Sequence, residues 1–124
     1  MEEDIRRSLG RRGEEVAAQH LVRRGFEIIE RNYRTRWGEL DLVAFDGRTL
    51  VFCEVKTRRL TGGGSRPFDS LHERKRAQVR KMARQWLSER IHRRFAPALR
   101  FDAIGVTFGP GGALAALDHL EGAF

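Results

Sequence analysis

LDLVAFDGRTLVFCEVKT, residues 40–57, decides the fold. Two apolar, β-branched runs flank Asp46-Gly47, a pair that marks a β-hairpin. The strands are expected over 39–45 and 49–57. Side chains alternate along a strand, and opposed residues share a face. With a two-residue loop Asp41 opposes Phe52; with a four-residue loop, 46–49, it opposes Glu54. Both registers put Asp41, Glu54 and Lys56 on one face, whereas a three-residue loop would separate them. Val43, Phe45, Leu50 and Phe52 share that face, and Leu40, Leu42, Val51, Cys53 and Val55 fill the other. A hairpin apolar on both faces belongs inside a covered sheet.

Opposed carboxylates in such a hairpin lie about 5 Å apart at Cβ. Burying them is costly unless they are paired or bind a cation. Lys56 offers one positive charge against two negative ones, and Glu39 adds a third carboxylate on the same side. Mg²⁺ or Mn²⁺, hard cations with oxygen ligands, would balance the site. The ordinary alternative for any one of these residues is a surface ion pair with a nearby arginine. Three in phase at one strand end argue for a site instead. Two carboxylates, a lysine and a cation that can activate water are what metal-dependent phosphodiester cleavage requires.

Outward from the hairpin, a first helix is expected from residue 3 to 24, with Gly10 and Gly13 as points of interruption and Gly25 as its C-cap. At 100° per residue, Glu14 falls within about 20° of Leu21 and can reach the sheet, while Glu15 faces solvent. FEIIERNY, residues 26–33, reads as a strand, and 34–38 as a turn. Residues 58–67 form a loop whose glycines lack the lysine and hydroxyl of a phosphate-binding P-loop. A second helix is expected over 70–93, with Ser70 and Glu73 at capping-box spacing and Val79, Met82, Ala83, Trp86 and Leu87 as its inner stripe. Lys75 is in phase with that stripe and can either snorkel or point at the acidic site. Pro97 precedes a strand over 99–108; after a turn at 110–112, residues 113–120 are a doubtful last strand. The order is αβββαβ: an α/β fold with a mixed sheet covered on both faces.

The 124 residues suit one domain, 1–124, able to bury a core without staples. No apolar run approaches the ~20 residues of a membrane span. Residues 1–15 lack the apolar centre of a secretory signal. Cys53 is the only cysteine, so no internal disulfide forms, and a reducing cytoplasm is the expected compartment. The net charge of +7 favours a polyanion, most simply nucleic acid. Only three of the 24 basic residues are lysines, Lys56, Lys75 and Lys81, so the lysine beside the carboxylates is not background usage.

GxxGE at residues 10–14, RNYR at 31–34, GELD at 38–41, VFCEVKTR at 51–58, RFD at 100–102 and the closing LDHLEGAF resemble the YraN-like family of small bacterial proteins. The motifs run in order over nearly the whole chain. That family is similar to the PD-(D/E)xK nucleases and the archaeal Holliday-junction resolvases. The resemblance implies a restriction-endonuclease-like fold and a Mg²⁺- or Mn²⁺-dependent nuclease. Its substrate would be DNA, in particular branched or junction DNA of repair and recombination. It implies a site of Glu14, Asp41, Glu54 and Lys56, with the Val55 carbonyl as a further metal ligand. Glu39 and Lys75 stand as secondary candidates. Arg31, Arg34, Arg36, Arg58 and Arg66 are the expected DNA contacts, positioning the backbone rather than reading bases. A homodimer would relate two such sites by a twofold axis, the simplest way to cut two strands. The competing function is a non-catalytic nucleic-acid-binding protein that keeps the fold. A protein-interaction domain with a basic surface is the third.

Overall fold

The structure is a computed structural model that describes residues 2–60, 73–90 and 98–124. Its elements are α1 (Glu2–Arg23), β1 (Glu27–Thr35), β2 (Gly38–Phe45), β3 (Thr49–Arg59), α2 (Glu73–Ser88), β4 (Ala98–Phe108), a 3₁₀ turn (Pro110–Gly112) and β5 (Leu114–Leu120). The expected loop beyond Leu60, the capping residue Ser70, Arg66, Pro97 and the last residues of the second helix lie outside the described residues.

The strands form one mixed sheet in the order β1-β2-β3-β4-β5. β3 and β4 are parallel and every other neighbouring pair is antiparallel. The final strand, doubtful from sequence, is a full edge strand on β4. Helices flank the sheet, the arrangement of a restriction-endonuclease-like core. Ala17, Ala18 and Leu21 of α1 pack with Leu42, Ala44, Val51, Cys53, Ile104 and Val106. Val79, Met82, Ala83 and Trp86 of α2, the expected stripe, pack with Val43, Leu50, Phe52 and Ala103. Alternate residues of β2, β3 and β4 thus serve opposite faces, and each face is closed by one helix.

Phe45 opposes Leu50, so four residues, 46–49, close the hairpin. The Asp46 carboxylate accepts the N–H groups of Arg48 at 2.9 Å and Thr49 at 2.7 Å, which fixes the wider loop and, with it, the register. β1 runs two residues further than expected. Thr35 pairs with Gly38, leaving only Arg36 and Trp37 in the turn.

α1 is not interrupted at Gly10 or Gly13. Gly13 is there for contact: a Cβ built on it would stand 1.9 Å from Thr57 Oγ1 and 2.9 Å from Thr57 Cβ. The missing side chain lets the helix lie directly on β3. The helix ends as expected. Gly25 has φ +93, its N–H reaches the Val22 carbonyl, and the Phe26 N–H reaches the Leu21 carbonyl, a Schellman closure.

RFD and LDHL prove to be structural. Asp102 on β4 is fully buried, yet satisfied. It accepts two hydrogen bonds from Arg100 (2.9 Å each), one from the His119 ring (2.7 Å) and one from the Gly122 N–H (3.1 Å). His119 in turn meets His20 of α1 at 3.0 Å. The network ties the C-terminal end of β5 to β4 and to the first helix.

Candidate metal and nucleic-acid site

The site forms where β2 and β3 part. Their ladder runs from Phe45–Leu50 to Leu42–Cys53 and stops. In a continued ladder Val55 would pair with Leu40. Instead the Val55 N–H donates to Asp41 Oδ2 at 2.7 Å. The Asp41 carboxylate is wedged between the strands.

This corrects the expectation that Asp41, Glu54 and Lys56 share a face. Leu40 packs with Val43 and Phe52 in the α2-side core, so strict alternation breaks between Leu40 and Val43, at Asp41. Asp41 gathers with Glu14 of α1 and Glu39 of β2, one carboxylate oxygen of each lying within 4.8 Å of the others. Asp41 is buried; Glu14 and Glu39 are half-buried. Glu54 belongs to the opposite side, where Lys75 of α2 reaches Glu54 Oε1 at 2.7 Å. Carboxylates from both faces therefore approach one another through the split, closely enough for the Glu54 charge to act on Asp41.

Of the two courses expected for Lys75, it takes the one towards the acidic site and holds Glu54, from the helical stripe that α2 presses onto the sheet. Lys56, two residues beyond Glu54 on the same side of β3, is exposed, makes no ion pair among the described residues and acts on Glu54 through its charge alone. Glu54 is 7% exposed, and its second oxygen, Oε2, is buried with no hydrogen-bond partner among the described residues.

Asn32 was not anticipated. Its side-chain amide donates to Glu14 Oε1 at 3.0 Å and Glu39 Oε1 at 2.8 Å, clamping two carboxylates together. It is the one non-glycine among the described residues with a positive φ, +51. Asparagine is among the few side-chain-bearing types that tolerate this conformation. The sequence signal was RNYR itself, whose arginines drew attention from the asparagine between them.

Burial, followed by the nearby charge of Glu54, raises the Asp41 carboxyl from 3.8 to about 8, although the Val55 N–H opposes the shift. Burial also raises Glu54, against the hydrogen bond and charge of Lys75. Folded protein therefore keeps a proton on Asp41 that the unfolded chain releases between about pH 4 and pH 8. The stabilisation associated with this proton is complete below pH 4 and is lost as pH rises through 8. Urea unfolding of the cation-free protein should show stability falling by a few kcal/mol from pH 5 to pH 9. Asp41→Asn should flatten the profile, and Mn²⁺ should restore stability at the alkaline end. A flat wild-type profile would contradict a buried, crowded Asp41.

A cleft of about 190 Å³ opens beside the cluster, lined by Arg11, Glu14, Arg31, Asn32 and Asp41 among others. The other expected DNA contacts are dispersed. Arg31 pairs with Glu15 at 2.7 Å, and Arg34 lies 3.6 Å from Glu39. Arg36 stacks over Trp37 in the β1–β2 turn, and Arg58 donates to Thr107. Arg31, Arg34 and Arg36 thus line up on the β1 side of the split, with Arg58 on β3 past Lys56.

Comparison with known proteins places the chain. The description "Uncharacterised protein family UPF0102" matches residues 13–106, a span running from Gly13 on α1 through the split and α2 into β4. The chain belongs to this family. A UPF0102 protein of Frankia alni is 49% identical over 118 residues covering 94% of each chain. One of Acidothermus cellulolyticus is 44% identical over 96% of this chain and 95% of its own. One of Geobacter metallireducens is 41% identical over 95% and 93%. UPF0102 is the YraN-like family that the sequence motifs resemble. No helix among the described residues is long and apolar enough to cross a membrane.

Proposed function

We propose that this UPF0102 protein is a divalent-metal-dependent nuclease acting on DNA, with the β2–β3 split as its active site. The observation that supports it most is Glu54 Oε2, a buried carboxylate oxygen with no partner among the described residues, beside a second buried carboxylate driven towards protonation by burial and by the Glu54 charge. A folded chain retains such an arrangement at a stability cost, and a cation in the split relieves it. The donor set is all oxygen, which suits Mg²⁺ or Mn²⁺.

Asp41, Glu14 and Glu39 would hold the ion, with Glu54 Oε2 and the Val55 carbonyl as the remaining protein ligands. Bound there, it would supply a Lewis acid for the scissile phosphate and for the attacking water. The Val55 N–H fixes the Asp41 carboxylate, Asn32 keeps Glu14 and Glu39 convergent, and Lys75 holds Glu54 by its other oxygen. Lys56, exposed at the rim, would face the phosphate, orient the water and offset charge developing at phosphorus. Arg31, Arg34, Arg36 and Arg58 would carry the flanking phosphates.

The competing reading is a DNA-binding protein without catalysis. It draws on Lys75 and Asn32, which already satisfy part of the acidic cluster without an ion. A panel of branched, duplex and single-stranded DNAs separates the two. Cleavage should require Mg²⁺ or Mn²⁺ and vanish in Glu54→Ala. Binding should fall steeply with salt, about 10²-fold between 50 and 200 mM for four phosphate contacts. Binding of every probe without cleavage under any cation would favour the competing reading.

A further inference from the structure

We propose that the groove between the first half of α1 and the Pro110–Gly112 turn binds an unpaired nucleotide of the substrate, with Arg12 as the stacking surface and Arg59 as the phosphate partner. This rests on the nuclease reading and specifies its substrate as DNA with a single-stranded segment.

Two adjoining cavities, of about 460 and 360 Å³, share Leu9, Arg12 and Arg59. Each lies within the ~300–1,000 Å³ range of small-ligand pockets. Arg12 is not a loose surface arginine. Its guanidinium lies over the Phe108 ring, 4.6 Å from the centroid, and donates to the Gly112 carbonyl at 2.7 Å. One face and one edge of the plane are thereby fixed, at a position that lines both cavities. Gly112 is part of the device: a Cβ there would come 3.3 Å from the Arg12 guanidinium, and its φ of +86 disfavours any side chain. A pinned guanidinium beside apolar side chains is a platform on which an unstacked base can lie.

The rest of the lining fits the same ligand. Leu9 and Leu60, the latter 55% exposed, offer an apolar wall for a base, and the buried Phe108 backs the Arg12 plane. Arg59 is exposed and has no ion pair among the described residues, so its charge is available to a phosphate. Asp4 is the one carboxylate among the described residues that line the two cavities. A plain phosphate would not use the apolar wall, and an acidic peptide would not need the planar surface.

The groove connects to the acidic split. Arg11 and Arg12 are consecutive on α1 and so point about 100° apart. Arg11 lines the acidic cleft and Arg12 the groove. Along β3, Glu54 and Arg59 are five residues apart, about 17 Å at ~3.3 Å per residue. A strand stacked at ~3.4 Å per nucleotide spans that in about five steps. One crossing of α1 at the arginine pair carries it from the split to the groove.

The test compares a blunt duplex with the same duplex carrying a single-stranded tail that contains 2-aminopurine, without divalent cation. Wild type should bind the tailed probe roughly tenfold more tightly and change the 2-aminopurine fluorescence. Arg12→Lys, which keeps the charge and loses the plane, should abolish the fluorescence change and most of the preference. Arg59→Ala alters an exposed side chain, so it remains informative if Arg12→Lys unfolds; it should weaken binding of the tailed probe at least threefold more than binding of the blunt duplex. Equal binding of both probes by wild type, or a preference untouched by Arg59→Ala, overturns the groove while leaving the nuclease reading intact. Failure of wild type to bind either probe overturns both.

Discussion

Asp41→Asn should reduce Mn²⁺-supported cleavage on the order of 10³-fold or more, because several kcal/mol of charge stabilisation disappear with the ligand. The substitution tests function rather than folding. Asparagine keeps the shape of Asp41, and its side-chain oxygen can still accept the Val55 N–H that now holds the aspartate at 2.7 Å. It also removes a carboxyl whose pKa burial and Glu54 push to about 8. The mutant should therefore melt no lower than wild type at pH 8. Its DNA affinity without cation should be equal at neutral pH, where Asp41 holds its proton, and higher above pH 8, where the substitution removes a negative charge beside a polyanion. Lys56→Ala should lose cleavage with little change in melting temperature, as befits an exposed residue outside the core. Wild-type cleavage rates in both purified mutants would remove the mechanism.

Gly13→Ala should be among the most damaging single-methyl substitutions in the chain. The added carbon would stand 1.9 Å from Thr57 Oγ1 and 2.9 Å from Thr57 Cβ. Turning the β-branched Thr57 brings no relief, since Cγ2 also stands 3.0 Å away and Cβ is fixed by the strand. Thr57 lies on β3 inside the parallel ladder with β4, so the helix must move instead. Lifting α1 opens the contact that buries Ala17, Ala18 and Leu21. Destabilisation of roughly 1–3 kcal/mol, or more, is expected. Glu14 follows directly in sequence, so cation affinity should fall with stability even where the protein remains folded. Thr57→Gly in the same chain should recover much of both, because it removes the atoms in collision. A Gly13→Ala protein with wild-type urea unfolding and Mn²⁺ affinity would mean that α1 and β3 are less closely apposed.

The two effects differ in how far the sequence exposed them. The hairpin of residues 40–57 was legible because alternation is a local rule and Asp46-Gly47 announced the turn, but the common face expected for Asp41 and Glu54 was not kept, because the ladder parts at Asp41. The second helix was legible from its stripe, and the end of the first from Gly25. Gly13 was misread as a weak point, since helix propensity is local whereas its contact with Thr57 spans 44 positions. Lys75 could be placed on the inner stripe of α2 but not against Glu54, because helix phase gives a direction and not the element met along it.

The sequence by itself determined the element order, the buried stripe of each helix, the excess of positive charge and the residue types able to hold a cation. All follow from periodicities of two and 3.6 and from composition, which need no partner in space. Only the tertiary structure decided that the ladder parts at Asp41, that Asn32 clamps Glu14 to Glu39, and that Lys75 rather than Lys56 meets Glu54. Those outcomes depend on backbone hydrogen bonds being surrendered to side chains and on distant segments arriving at one place. The packing of two helices on a twisted sheet settles them, and no stretch of chain read alone contains that information.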